Sequence, residues 1–94
     1  MSLFVVTYTY SEGSAATRDE VRPTHREFLA GLPELVLSGP TDDDNAILLL
    51  DVADADAALA LLDPDPFQAA GVIADRAVRG WNVVLGRAKD RLGA

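Results

Sequence analysis

Apolar and polar positions alternate from the start of the chain. In LFVVTYTY, residues 3–10, Phe4, Val6, Tyr8 and Tyr10 fall on one face of a strand, with Leu3, Val5, Thr7 and Thr9 on the other. SEGSAA interrupts the pattern as a loop, and Thr17 with Glu20 has the spacing of a capping box that opens a helix. Pro23 requires either a kink in that helix or a helix that begins there. Val21, His25, Phe28, Leu29 and Leu32 recur at helical spacing, which puts the histidine on the apolar stripe. Pro33 closes the helix. ELVLSG then reads as a second strand, GPTDDDN as a polar turn and AILLLDVA as a third strand. Asp54 caps a short helix over residues 55–62. After DPDPF, residues 77–85 read as a fourth strand with a bulge at Gly80, and GRAKDRLGA is a charged tail, frayed or forming a last helical turn.

Strand, helix, strand, strand, helix, strand is the order of the α+β ferredoxin-like split βαβ arrangement (βαββαβ), a four-stranded antiparallel sheet with two helices on one face. The third strand adds a constraint. Ala46, Leu48, Leu50 and Val52 alternate with Ile47 and Leu49, so both of its faces are apolar, and two helices cover only one. A second copy packed sheet against sheet about a two-fold axis covers the other, which predicts a homodimer. No repeat, linker or composition shift divides residues 1–94, so a single domain is expected.

A chain of 94 residues buries only about 60–65% of the surface its unfolded form exposes, so its core is thin. With no cysteine it has neither a disulfide framework nor a thiolate metal site, and with one histidine no transition-metal site is expected. No apolar run reaches the length of a membrane span, and the N-terminal residues lack a basic region followed by an apolar one, so a cytoplasmic protein is expected. A net charge of -7 without a basic stripe argues against nucleic-acid binding. A small organic ligand or another protein remains as partner.

His25 is the only side chain whose ordinary pKa, about 6.5, lies near neutrality. It is either packed at the edge of the core or used as a general acid or base. Asp65 is similarly two-sided: it reads as an N-cap, with Pro66 at the first helical position and Gly71 as the stop. A capping carboxylate also has a second oxygen, which could accept a hydrogen bond from His25, fix its tautomer and strengthen it as a base. Arg22, one turn before His25, could neutralise a substrate oxyanion. Ser38 and Gly39 end the second strand, where a hydroxyl and an approachable backbone could meet a ligand. Tyr8, Tyr10 and Trp81 could line an aromatic pocket or pack in the core or interface. The acidic run 42–44 reads as a solvated turn. No phosphate-binding glycine loop and no nucleophile elbow is present.

VRPTHREFLAGL, ELVLSGP and DPDPFQAAGV together resemble the YCII-related family of small bacterial proteins over nearly the whole chain. The likeness rests on Arg22, Pro23 and His25, on Ser38, Gly39 and Pro40, and on Asp65, Pro66, Phe67, Ala70 and Gly71. It implies the dimeric α+β barrel superfamily and a candidate catalytic pair, carried here by His25 and Asp65, beside a pocket near Arg22 and Ser38; Tyr8, Gly39 and Phe67 complete the expected ligand contacts. The resemblance also implies chemistry of the kind found in that superfamily, among isomerases, lyases and cofactor-independent oxygenases that act on small cyclic or aromatic compounds. Two functions follow as alternatives. One is a small cofactor-independent lyase or isomerase with His25 as general base; the other is a noncatalytic dimeric module that binds a small molecule or serves another enzyme.

Overall fold

The N-terminal alternation forms strand β1 (Leu3–Tyr10), and on its inner face Val6 and Tyr8 are fully buried between the half-buried Phe4 and Tyr10. The computed structural model describes residues 2–92. Helix α1 (Ala15–Ala30), strands β2 (Leu35–Pro40) and β3 (Ala46–Asp51), helices α2 (Ala55–Leu62) and α3 (Pro66–Ala69), strand β4 (Ile73–Gly80) and a 3₁₀ turn (Asp90–Leu92) follow. The strands form one antiparallel sheet in the order β2-β3-β1-β4. This is the ferredoxin-like α+β fold, with the short α3 as an added turn between α2 and β4.

Period-two alternation decides what each face buries. Inward from the sheet point Val6, Tyr8, Leu48 and Leu50, which pack with Leu29 of α1 and with Ala58 and Leu62 of α2. Outward lie Val5, Ile47 and Leu49, with Leu37 placed opposite Leu49 by the β2–β3 register. Leu37 is 65% exposed and Ile47 45%, so part of this second apolar face is open to water. No helix among the described residues is long and apolar enough to cross a membrane.

Helix α1 starts two residues before Thr17, so the Thr17–Glu20 capping box does not form. Ser14 stands at the cap instead; its backbone oxygen accepts from Arg18 N–H, and its hydroxyl accepts from Arg18 Nε at 3.0 Å. Pro23 lies inside the helix, which runs through it.

Strand β4 is displaced from its expected span. It occupies residues 73–80 rather than 77–85, because its length is set by β1: Tyr10 pairs with Ile73 and Phe4 with Gly80. Trp81 N–H still reaches the Leu3 carbonyl at 2.8 Å, after which β1 offers no more partners and the apolar WNVVL run leaves the sheet. The irregularity expected at Gly80 falls instead near the start of β4, where Thr9 faces Asp75 and Tyr10 faces Ile73, so that Ala74 is the extra residue.

Two substitutions test this packing. Leu50→Ala, at a fully buried position, is expected to lower unfolding free energy by about 2–5 kcal/mol. Asp54→Ala removes the carboxylate that accepts from Ala57 N–H at 2.7 Å and should cost about 1 kcal/mol; urea denaturation measures both.

Candidate functional site

The segment LLDPDPF ends α2 and restarts the chain as α3. Asp65 is the N-cap of α3, Pro66 occupies the first turn, and Phe67 N–H donates to Asp65 Oδ1 at 2.9 Å. Gly71 follows with φ +73°, a conformation that suits glycine and turns the chain from α3 into β4. The cap is therefore a built feature of the sequence, and it leaves the carboxylate fully buried.

Three donors meet that carboxylate. His25 Nδ1 lies 2.7 Å from Oδ1, the oxygen that also accepts from Phe67 N–H, while the Tyr8 hydroxyl donates to Oδ2 at 2.9 Å. The second oxygen, expected to serve the histidine, is thus taken by Tyr8, and His25 shares the capping oxygen. Tyr8, expected as a ligand contact, has spent its hydroxyl on Asp65. Burial first, then the adjacent Asp65 charge, pushes the Tyr8 phenol far above its ordinary range, so it remains a neutral donor.

The histidine is held from a second direction. Its ring stacks flat on Phe67, with centroids 3.8 Å apart and planes within 1°, and Phe67 meets Tyr10 edge to face at 5.8 Å. An ionised Asp65 only accepts, so Nδ1 carries the proton of this bond and the neutral ring leaves Nε2 unprotonated. Nε2 makes no hydrogen bond among the described residues, and no buried polar side-chain atom there lacks a partner. Nε2 therefore opens to solvent, which here means the cleft.

That cleft has a volume of about 680 Å³. Ser38 and Gly39 from the end of β2, Arg22 and His25 from α1, Tyr8 and Tyr10 from β1 and Phe67 from α3 all line it, with Asp65 buried behind His25. Trp81, also considered for an aromatic pocket, lies on the outer sheet face instead. Leu29, Ala46 and Leu48 supply apolar wall.

Arg18 was not singled out, although it precedes Arg22 by four residues and His25 by seven and so shares their helix face. It is buried beneath the cleft, with its guanidinium 4.3 Å from the Tyr10 ring centre. Asp44, expected to be only part of a solvated turn, grips it with two hydrogen bonds of 3.1 and 2.8 Å. Asp44 adopts φ 62°, and its hydrogen bonds to Arg18 hold its carboxyl below the ordinary range. Tyr10 is raised by burial, which outweighs the opposing Arg18 charge.

Tyr8→Phe leaves a buried carboxylate oxygen without its donor and should cost about 1.5–3 kcal/mol at neutral pH by chemical denaturation. The native state also keeps the Tyr8 proton beyond the unfolded value of about 10, so the unfolded chain loses it first. Stability should be unaffected by this group below about pH 10 and fall as pH rises past that point, less steeply in Tyr8→Phe.

Comparison with known proteins agrees with this architecture. A family described as the YCII-related domain matches residues 2–82, whereas no curated protein matches the chain. Among solved structures, the chain is similar to 5-chloro-2-hydroxyhydroquinone dehydrochlorinase from Burkholderia phenoliruptrix, solved in complex with 2,5-dihydroxybenzoquinone. The two are 25% identical with a TM-score of 0.76 over 85% of this chain and 93% of that one. A dimeric ferredoxin-like protein of unknown function from Thermobifida fusca is 15% identical, with a TM-score of 0.50 over 88% and 92% of the two chains. An antibiotic biosynthesis monooxygenase is 14% identical, with a TM-score of 0.57 over 90% and 100%. Similarity at these last two identities concerns the fold. The match across residues 2–82 makes this chain a member of the YCII-related domain family.

Proposed function

We propose that the protein is a small enzyme that moves a proton on a cyclic or aromatic substrate, with His25 as the general base. The observation that carries this reading is the orientation of the histidine: Nδ1 is tied to a buried Asp65, and Nε2 opens to the cleft. In the reaction, Nε2 takes a proton from a ring O–H or C–H. The electron pair of that bond moves into the ring and is met by a proton at another ring atom, an isomerisation. Where that atom is a carbon bearing a leaving group, it is now tetrahedral, and removal of a second proton from the ring or its hydroxyls expels the leaving group with its bonding pair, an elimination. Both outcomes conserve electrons within the substrate. The resulting imidazolium faces the Asp65 carboxylate at 2.7 Å, which stabilises the charge as it forms. Tyr8 and Phe67 N–H act as positioning groups that keep the Asp65 carboxylate aimed at His25. The similar dehydrochlorinase acts on a chlorinated hydroxyhydroquinone, which favours elimination from a hydroxylated ring.

The same reading includes a homodimer. Leu37, Ile47 and Trp81 are exposed, and an apolar depression on the outer sheet face runs along Val5, Ile47, Leu49 and Trp81. A second copy packed sheet against sheet would cover it, as the dimeric relative from Thermobifida fusca supports. Sedimentation should give twice the chain mass, and Ile47→Lys combined with Leu37→Lys should give a monomer.

A panel of chlorinated and unchlorinated hydroxylated rings, followed by chloride release and ultraviolet absorbance, tests the chemistry. At least one compound should be turned over, and His25→Gln should lower kcat by about 10²–10⁴-fold with the fold intact by circular dichroism. Asp65→Asn should also lower kcat, mostly without raising KM. Turnover that survives His25→Gln within a few-fold, or binding without turnover across the panel, would replace this reading with a noncatalytic binding module.

A further inference from the structure

The cleft reverses the charge balance of the protein. Three of the chain's eight basic residues line it, Arg18, Arg22 and Arg26, against one of its fifteen acidic residues, Asp44. The three arginines repeat every four residues on α1, so they stack along one face around His25. Like charges at that spacing repel and weaken a helix slightly, so the arrangement is not explained by helix stability.

The three are not equivalent. Arg18 is buried and committed, through Ser14, the Tyr10 ring and two bonds to Asp44. Arg22 is about one-third exposed and, among the described residues, paired only with Asp19, whose side chain is 73% exposed. An ion pair so open to water is weak and can exchange its acid for another anion. Arg26 is exposed and takes part in no ion pair among the described residues. On the remaining sides the cleft is lined by the half-buried Tyr10 ring and by the exposed Ser38, Gly39 and Pro40 at the end of β2.

We propose that this cleft is an anion site: it takes its small ring compound as an oxygen anion, held by Arg22 and Arg26, with the ring toward Tyr10 and Pro40. The oxygen anion is either a carboxylate substituent or an ionised ring hydroxyl. This inference rests on the cleft being the substrate site, but not on His25 being the base. Two charged cations at the mouth of a cleft in an otherwise acidic protein concentrate anions there and exclude neutral analogues. Arg22 and Arg26 are thereby specificity-determining residues.

Two matched pairs of probes test it by NMR titration: 2,5-dihydroxybenzoate against 2,5-dihydroxybenzamide, and 2-hydroxy-1,4-naphthoquinone, ionised at neutral pH, against 1,4-naphthoquinone. Because the chain has no cysteine, quinone probes do not form thiol adducts. In at least one pair the anion should bind about tenfold or more tightly than its neutral partner at low salt, and the preference should shrink as salt rises. The pair that shows it identifies the anion as carboxylate or ring oxyanion. Arg22→Gln with Arg26→Gln, both outside the core, should remove most of the preference while leaving the neutral probe's affinity within about twofold. Equal affinities in both pairs, a preference unchanged in the double variant, or no binding below about 10 mM would overturn the proposal. His25-dependent turnover confined to uncharged substrates would overturn it while leaving the proton-transfer reading intact. Anion preference without turnover would keep the anion site and remove that reading.

Discussion

The buried carboxylate of Asp65 is the constraint around which the site is assembled. A charge with no exposure to solvent is costly unless every lone pair facing the protein finds a donor. Here three elements distant in sequence supply those donors: β1 through Tyr8, α1 through His25, and α3 through the Phe67 backbone. Satisfying one carboxylate thus fixes the position of the first strand, the first helix and the DPF turn relative to each other. It also fixes which histidine nitrogen is left for a ligand. At this residue one oxygen meets two demands, because the Oδ1 that caps α3 is also the one that orients His25.

The remainder of the cleft follows from the same α1 face. Helical spacing puts Arg18, Arg22, His25 and Arg26 beside one another, and Leu29 continues that stripe into the core. Asp44, held in a left-handed turn between β2 and β3, locks Arg18 under the Tyr10 ring and so builds one wall from a hairpin loop. The result is a cleft with arginines at its rim, an aromatic side and the His25 imidazole at its inner end.

Most of the fold was legible because alternation and capping are local signals. The LFVVTYTY strand, the Asp54 cap and the Asp65-Pro66 start of α3 all depend on residues within a few positions of one another. The α1 start and the β4 span were less legible for a physical reason. At the start of α1, Ser14 bonds Arg18, which a tertiary contact ties to Asp44, and the end of β4 follows the length of its partner strand. Hydrophobicity alone favoured WNVVL over the more polar IADRAVRG, yet pairing with β1 outweighs it. Within the site, His25 and Asp65 stood out by residue type and by resemblance to a family. Arg18 did not, though its place four and seven residues before Arg22 and His25 was a usable signal. That Tyr8 serves Asp65 could not be read from spacing, since 57 residues separate them.

With a single histidine in the chain, ¹⁵N NMR of the imidazole reports directly on the central claim. The spectrum of the uncharged ring should show Nδ1 protonated and Nε2 bare, the tautomer that the Asp65 bond imposes and the opposite of the one free histidine prefers. A neutral ring protonated on Nε2 would contradict the account, because the nitrogen facing the cleft would then have no lone pair with which to accept a proton.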